Sequence, residues 1–384
     1  MGPMRLMGPM GLMGLMGLMG MGCSSEDDEG IIPMEVMGVV TQYEEISEAN
    51  GGSGTTRAWT LPSGYSQMVG NGQSIGMFLT QNGVEPLQGF SYSGGGKWHT
   101  SLEIEHAGTY YFYGYTPHTS GVTCTISSSS TDNDNSSYST GAVLKINNLP
   151  AVTANDVCVI IGAKNGKDDY KADDDYTVSG LVRGNFEYAA QPTEGGSGNY
   201  IYLLLDHLYA ALRVNMRVNG DYNALRTIKL KELRLQTSAS GTATKKRLNA
   251  TVTLAATSGD PDPDPIQSIV YTPVGEDDGD GSMFSSTNGV TLTTSYGEYM
   301  GHFMPQGVDK LKLTSVYDVY DKKGNLIRES CMATNTLILK ELFSEQNESR
   351  RGCRYTIKMT IQPTYLYVLS EPDLDDPTVT LDKE

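Results

Sequence analysis

The sequence predicts an all-β protein built as β-sandwiches, and three observations carry that prediction. Tyr is abundant at 23 residues, and 44 Gly are accompanied by plentiful Ser and Thr. β-Branched and aromatic side chains pack on pleated sheets, and glycine supplies the reversals between them. Short apolar runs recur between turn-rich segments, whereas long helical periodicity is missing.

The first element lies outside the fold. Residues 1–22 form a Met/Leu/Gly repeat with Arg5 as its only charge, about the length of a secretion signal and too glycine-rich for a membrane helix. It ends at Gly22-Cys23, followed by Ser24, Ser25, Glu26, Asp27, Asp28 and Glu29. A small residue before a lone Cys, after an apolar stretch, resembles a bacterial lipoprotein signal, in which the Cys is diacylated and becomes the mature N-terminus. The acidic run after Cys23 looks like a surface-export tag of Bacteroidota lipoproteins. Gly20 stands where such signals carry Leu, so a low-complexity start or a mis-assigned initiation codon is the other reading.

Residues 35–43 are a strand candidate, followed by the flexible Asn50-Gly51-Gly52-Ser53-Gly54 and by Thr55-Thr56-Arg57-Ala58-Trp59. Further strands are predicted over 75–80, 110–115, 142–146 and 157–161. Residues 212–219 alternate apolar and polar without a slip, as a half-buried strand does. Over 228–235 the apolar phase breaks at Lys231-Glu232, which predicts a bulge. Asp321-Lys322-Lys323-Gly324-Asn325 reads as a hairpin loop between 311–320 and 326–329. Residues 355–362 alternate again. The 384 residues suffice for two domains. The break is expected at the glycine-rich 195–198, which leaves Asp260-Pro261-Asp262-Pro263-Asp264-Pro265 as a surface loop.

Composition and motifs then limit function. With 45 Asp plus Glu against 28 Lys plus Arg, the net charge is −17, and a surface of that sign repels nucleic acid. Gly72-Gln73-Ser74-Ile75-Gly76 matches a hydrolase elbow, but a loop precedes it and a strand follows, so it reads as a loop entering a strand. The histidines His99, His106, His118, His207 and His302 show no metal-binding spacing, and His207 reads as a structural residue beside a strand. The acidic runs at 168–175 and 276–280 do not match a calcium loop and read as solvated. Cys124, Cys158, Cys331 and Cys353 form no close pair. Buried thiols are the expected state, with a disulfide inside each half as the alternative. No catalytic residue, cofactor or metal is expected, and the chain does not read as an enzyme.

Several stretches together carry a resemblance. They are Asn71-Gly72-Gln73-Ser74-Ile75-Gly76-Met77-Phe78, then Trp98, and Gly108-Thr109-Tyr110-Tyr111-Phe112-Tyr113-Gly114-Tyr115-Thr116-Pro117. Leu205-Asp206-His207-Leu208-Tyr209-Ala210-Ala211-Leu212-Arg213-Val214 and the closing alternation at 355–361 follow. With the lipoprotein-like start, the chain resembles the fimbrillin-like family of Bacteroidota, subunits of type V pili. The resemblance implies two transthyretin-like, Greek-key β-sandwich domains in tandem after a lipoprotein signal peptide. Its parts are a signal at 1–22, a tether and removable first strand at 23–57, and domains at 58–195 and 196–384.

It further implies a fimbrial subunit at the outer membrane, lipid-anchored through Cys23 and cut by a trypsin-like protease between Arg57 and Ala58. The strand bearing Val36, Val39, Val40 and Tyr43 would then leave, and a strand from another subunit would fill its groove. A donor strand is expected at Tyr365, Leu366, Tyr367, Val368 and Leu369, although Pro372 and Pro377 would interrupt a longer one. Partners would be other fimbrial subunits and a host or bacterial surface ligand. The alternative is a non-polymerising surface lipoprotein that binds glycan or host protein through sandwich loops.

Overall fold

A computed structural model of the chain describes residues 35–47, 74–82, 86–94, 97–100, 102, 108–129, 137–165, 181–190, 200–257, 264–343, 346–366 and 371–382. Strands dominate throughout, as the alternation and turn chemistry predict. One sheet holds Glu35–Val40 (β1), Ser74–Thr80 (β3), Leu87–Gly94 (β4), Lys97–Thr100 (β5), Gly108–Thr116 (β6), Cys158–Asn165 (β10), Glu187–Ala190 (β11) and Tyr200–His207 (β12). Its order is β10-β12-β1-β5-β4-β3-β6-β11, and β6 also pairs β10, so the sheet curls back on itself. A second sheet joins Thr123–Ser128 (β7), Gly141–Pro150 (β8), Lys245–Ala255 (β16) and Ile266–Asp278 (β17).

The curled sheet is buried on both faces, which period-two side-chain alternation makes possible. From β10 and β12, Val159, Ile161, Tyr202 and Leu204 point to one side. There they meet Leu144 and Ile146 of β8 and Val252 and Leu254 of β16, forming a two-sheet sandwich. Their neighbours Ile160, Leu203 and Leu205 turn the other way and join Ile75, Met77, Trp98 and Phe112 inside the curl. The aromatic run of β6 is therefore core on both sides, with Phe112, Tyr113 and Tyr115 fully buried.

A second sandwich follows the same logic. One layer holds Glu44–Ser47 (β2), Val152–Thr153 (β9), Ala210–Val218 (β13), Gly297–Phe303 (β19), Cys353–Leu366 (β22) and Glu371–Leu381 (β23). The other holds Thr227–Ala239 (β14), Thr242–Ala243 (β15), Gly281–Thr291 (β18), Val308–Tyr320 (β20) and Leu326–Ile338 (β21). Leu212, Val214 and Met216 of β13 pack against Leu230, Leu233 and Leu235 of β14 and Leu311 and Leu313 of β20. The phase break in β14 is a bulge, because the register against β20 shifts between Leu230 and Glu232. The turn after β20 closes on the Asp321 carboxylate, which accepts from the Lys323 and Asn325 amides at 2.8 Å each.

The sandwiches do not follow chain order. After β15 the chain leaves for β16 and β17 in the first sandwich and returns as β18 in the second. β9 crosses the other way to pair with β19. The core around β8 thus draws strands from both sides of residue 195, and 191–199 lie outside the described residues. No helix among the described residues is long and apolar enough to cross a membrane.

Candidate functional site

The N-terminal segment 35–47 touches all three cores. Val36, Met37 and Val39 of β1 are 0%, 0% and 2% exposed. Val36 enters the core inside the curl, with Val40 packed against it, while Met37 and Val39 enter the core facing β8 and β16. Ile46 of β2 enters the second sandwich. Thirteen consecutive residues therefore staple one sandwich to the other.

Both docking strands run parallel to their main partners, so neither belongs to a hairpin. β1 lies along β12 from Glu35 opposite Tyr200 to Val40 opposite Leu205. On its other side, among the described residues, it meets β5 at Glu35 and Val36. Gly38 admits the Trp98 indole, because a Cβ there would sit 2.7 Å from the ring. β2 lies along β22 from Glu44 opposite Cys353 to Ser47 opposite Thr356. β23 covers the same edge of β22 from Met359 onward, so the two ends of the described chain share one sheet edge.

Between the docking strands, residues 41–43 cross a buried polar cluster. His207 ends β12 and is 0% exposed. Its Nδ1 lies 2.7 Å from Asp156 Oδ2, and its Nε2 lies 2.7 Å from the Thr41 carbonyl oxygen. A carbonyl only accepts, so Nε2 carries a proton, and the carboxylate on the opposite nitrogen favours a second one. Burial alone would lower the His207 pKa, but the Asp156 charge and hydrogen bond raise it, helped by Asp206 and the Thr41 carbonyl. Burial would likewise raise Asp156, and the His207 ring draws its pKa down to about 2.

The Tyr43 ring stacks on His207 at 3.7 Å between centroids, with His302 at 6.2 Å and the Arg354 guanidinium at 5.5 Å. Burial, then the Asp156 charge, push the Tyr43 phenol well above its ordinary value. Its hydroxyl and Asp156 Oδ1 are both buried, and the hydroxyl interacts with the Asp156 carboxylate. His302 gains a hydrogen bond between Nδ1 and the Ala154 carbonyl at 3.2 Å, and burial lowers its pKa. Next along β12, the fully buried Asp206 accepts from the Thr41 hydroxyl at 2.6 Å and from Arg351 at 2.8 Å, with Arg183 at 3.6 Å. Charge pairing also holds β2, through Glu44 with Arg350 at 3.0 Å and Glu45 with Arg354.

Of the residues singled out in the sequence, Val36, Val39, Val40 and Tyr43 come together in this seat. Cys23, Arg57 and Ala58 lie outside the described residues, as do Tyr367, Val368 and Leu369. Tyr365 and Leu366 end β22, opposite Pro372 and Glu371 of β23. Ser74 opens β3, and its hydroxyl donates to the His118 carbonyl oxygen, while the His118 ring meets the Tyr115 hydroxyl at 2.6 Å. The Ser74 hydroxyl thus faces a backbone group, not an imidazole. Cys124, Cys158, Cys331 and Cys353 are all free thiols. The acidic run at 168–175 lies outside the described residues. The cluster of Tyr43, Asp156, His207 and His302 was not foreseen, and the one signal for it was the charged pair Asp206-His207 ending an apolar run.

No family model matches the chain, and no curated protein matches it. Solved structures do. A candidate cell adhesion protein from Bacteroides uniformis matches with a TM-score of 0.35 and 11% identity, over 92% of this chain and 98% of that one. A fimbrial protein from Bacteroides vulgatus matches at 0.32 and 11%, over 92% and 99%. The fimbrial anchor protein Mfa2 from Porphyromonas gingivalis matches at 0.25 and 11%, over 91% and 95%. Likeness this faint assigns neither family nor function by itself.

Proposed function

We propose that the chain is a structural subunit of a cell-surface fimbrium, exported as a lipoprotein through Cys23 and contributing to adhesion. In this reading it is activated by cleavage after Arg57 and assembled by strand exchange. One observation carries the proposal: segment 35–47 supplies a strand to each sandwich, and among the described residues no hairpin ties it to either. Cleavage after Arg57 would leave that segment attached only by pairing and packing. Its departure would unpair six residues of β12 and four of β22. A sheet left open in this way offers backbone donors and acceptors, with apolar sockets at alternate positions, to a strand from another subunit.

A second reading keeps the chain as a surface lipoprotein that does not polymerise and binds glycan or host protein through its loops. The folded-back β23 favours it, because that strand already pairs within its own chain.

Mass spectrometry of the N-terminus of protein recovered from the cell surface separates the two. A mature chain beginning at Ala58 is the expected result for the fimbrial reading. An acylated Cys23 with residues 24–57 still attached sinks strand exchange for this chain and leaves the second reading.

A further inference from the structure

We propose that Asp156, Cys158 and His207 form a binding site for one zinc-class cation, roofed by Tyr43. One ligand atom from each of Asp156, Cys158 and His207 lies within 4.8 Å of the other two. Sγ is 3.7 Å from Nδ1, and Oδ2 is 2.7 Å from it. Ligands of a tetrahedral zinc stand about 3.2–3.6 Å apart, given bonds of roughly 2.0–2.3 Å. The thiol is already at that spacing, and the carboxylate needs to retreat by about half an ångström.

The arrangement fits a metal better than a nucleophile. In a Cys-His-Asp relay the thiol and the carboxylate face opposite ring nitrogens. Here both face Nδ1, while Nε2 is bonded to the Thr41 carbonyl. A metal-bound imidazole is held in this manner, its far N–H given to a backbone oxygen that fixes the ring and its tautomer. The Tyr43 hydroxyl and Asp156 Oδ1 are buried beside the same three donors, so polar atoms surround the position a cation would take.

Charge balance agrees. Binding releases two protons to solvent, one from the thiol and one from Nδ1. A thiolate, a carboxylate and a neutral imidazole then offset a divalent cation, so the buried cluster is neutral. Sulfur and imidazole donors select zinc over calcium or magnesium. Cys158 and His207 are 1% and 0% exposed, but the Asp156 side chain keeps 26%, which leaves the cation a way in.

The test uses the full chain, stripped with a chelator and titrated with zinc chloride, with cobalt(II) as the optical probe. One equivalent of zinc should bind, raise the melting temperature and be unaffected by excess calcium. Cobalt should give a near-ultraviolet thiolate-to-metal band. Cys158→Ser should abolish that band and weaken zinc by at least about 10-fold, whereas Cys331→Ser should change neither. His207→Gln should weaken zinc similarly. A wild-type cobalt complex without the thiolate band overturns the proposal even if every variant misfolds. So does zinc binding that Cys158→Ser leaves intact, or the absence of stoichiometric zinc binding.

Discussion

The two halves of the N-terminal segment are seated in opposite ways. β1 is an interior strand, apolar on both faces, with Val36, Met37 and Val39 enclosed. β2 is an edge strand with one enclosed apolar side chain, Ile46, flanked by the ion-paired Glu44 and Glu45. Apolar burial holds a strand through many contacts at once and is insensitive to salt. Exposed charge pairs contribute little and are screened. The difference makes β1 the anchor and β2 the end that frays, with the polar crossing at 41–43 between them.

The sharpest way to break the comparison is at that crossing. Asp206→Ala removes a buried carboxylate that faces Arg351 and Arg183, and should cost about 3–5 kcal/mol in denaturant unfolding. A loss below about 1 kcal/mol would mean the crossing is not a junction. Ile46→Ala should cost about 2–3 kcal/mol, because it empties the only socket that β2 fills. Gly38→Ala places a methyl against the Trp98 ring and should cost about 1–3 kcal/mol, read as lost hydrogen-exchange protection in β1 and β12. Arg350→Ala, which breaks the half-exposed pair with Glu44, should cost at most about 1 kcal/mol at low salt and less at high salt. In wild type, β2 amides should exchange before β1 amides, and the reverse order would invert the assignment of anchor and fraying end.

What the sequence disclosed was local. Period-two alternation exposed β13 and the start of β22, the phase slip at Lys231 exposed the bulge in β14, and Asp321 through Asn325 exposed a hairpin. Each of these signals is written within a dozen residues. The polar cluster was hidden because Tyr43, Asp156, His207 and His302 lie on four separate stretches that only the tertiary fold joins. The interleaving of the two sandwiches was hidden for the same reason. Nothing in β16 marks it as a partner of β8 instead of a neighbour of β14. Residues 35–43 were legible as a strand, but its parallel partner was unreadable.

That parallel pairing sets the order in which the protein can be finished. Thr41 bonds to a residue 165 positions later, and Cys353 meets a carboxylate 309 positions before it. Closing loops of such length carries an entropic cost that local contacts avoid, and folding slows as contacts become less local. Segment 35–47 must therefore wait for residues 353–356, 309 positions later, before it has a seat for β2. Until then, both sandwiches present open edges to whatever strand arrives first.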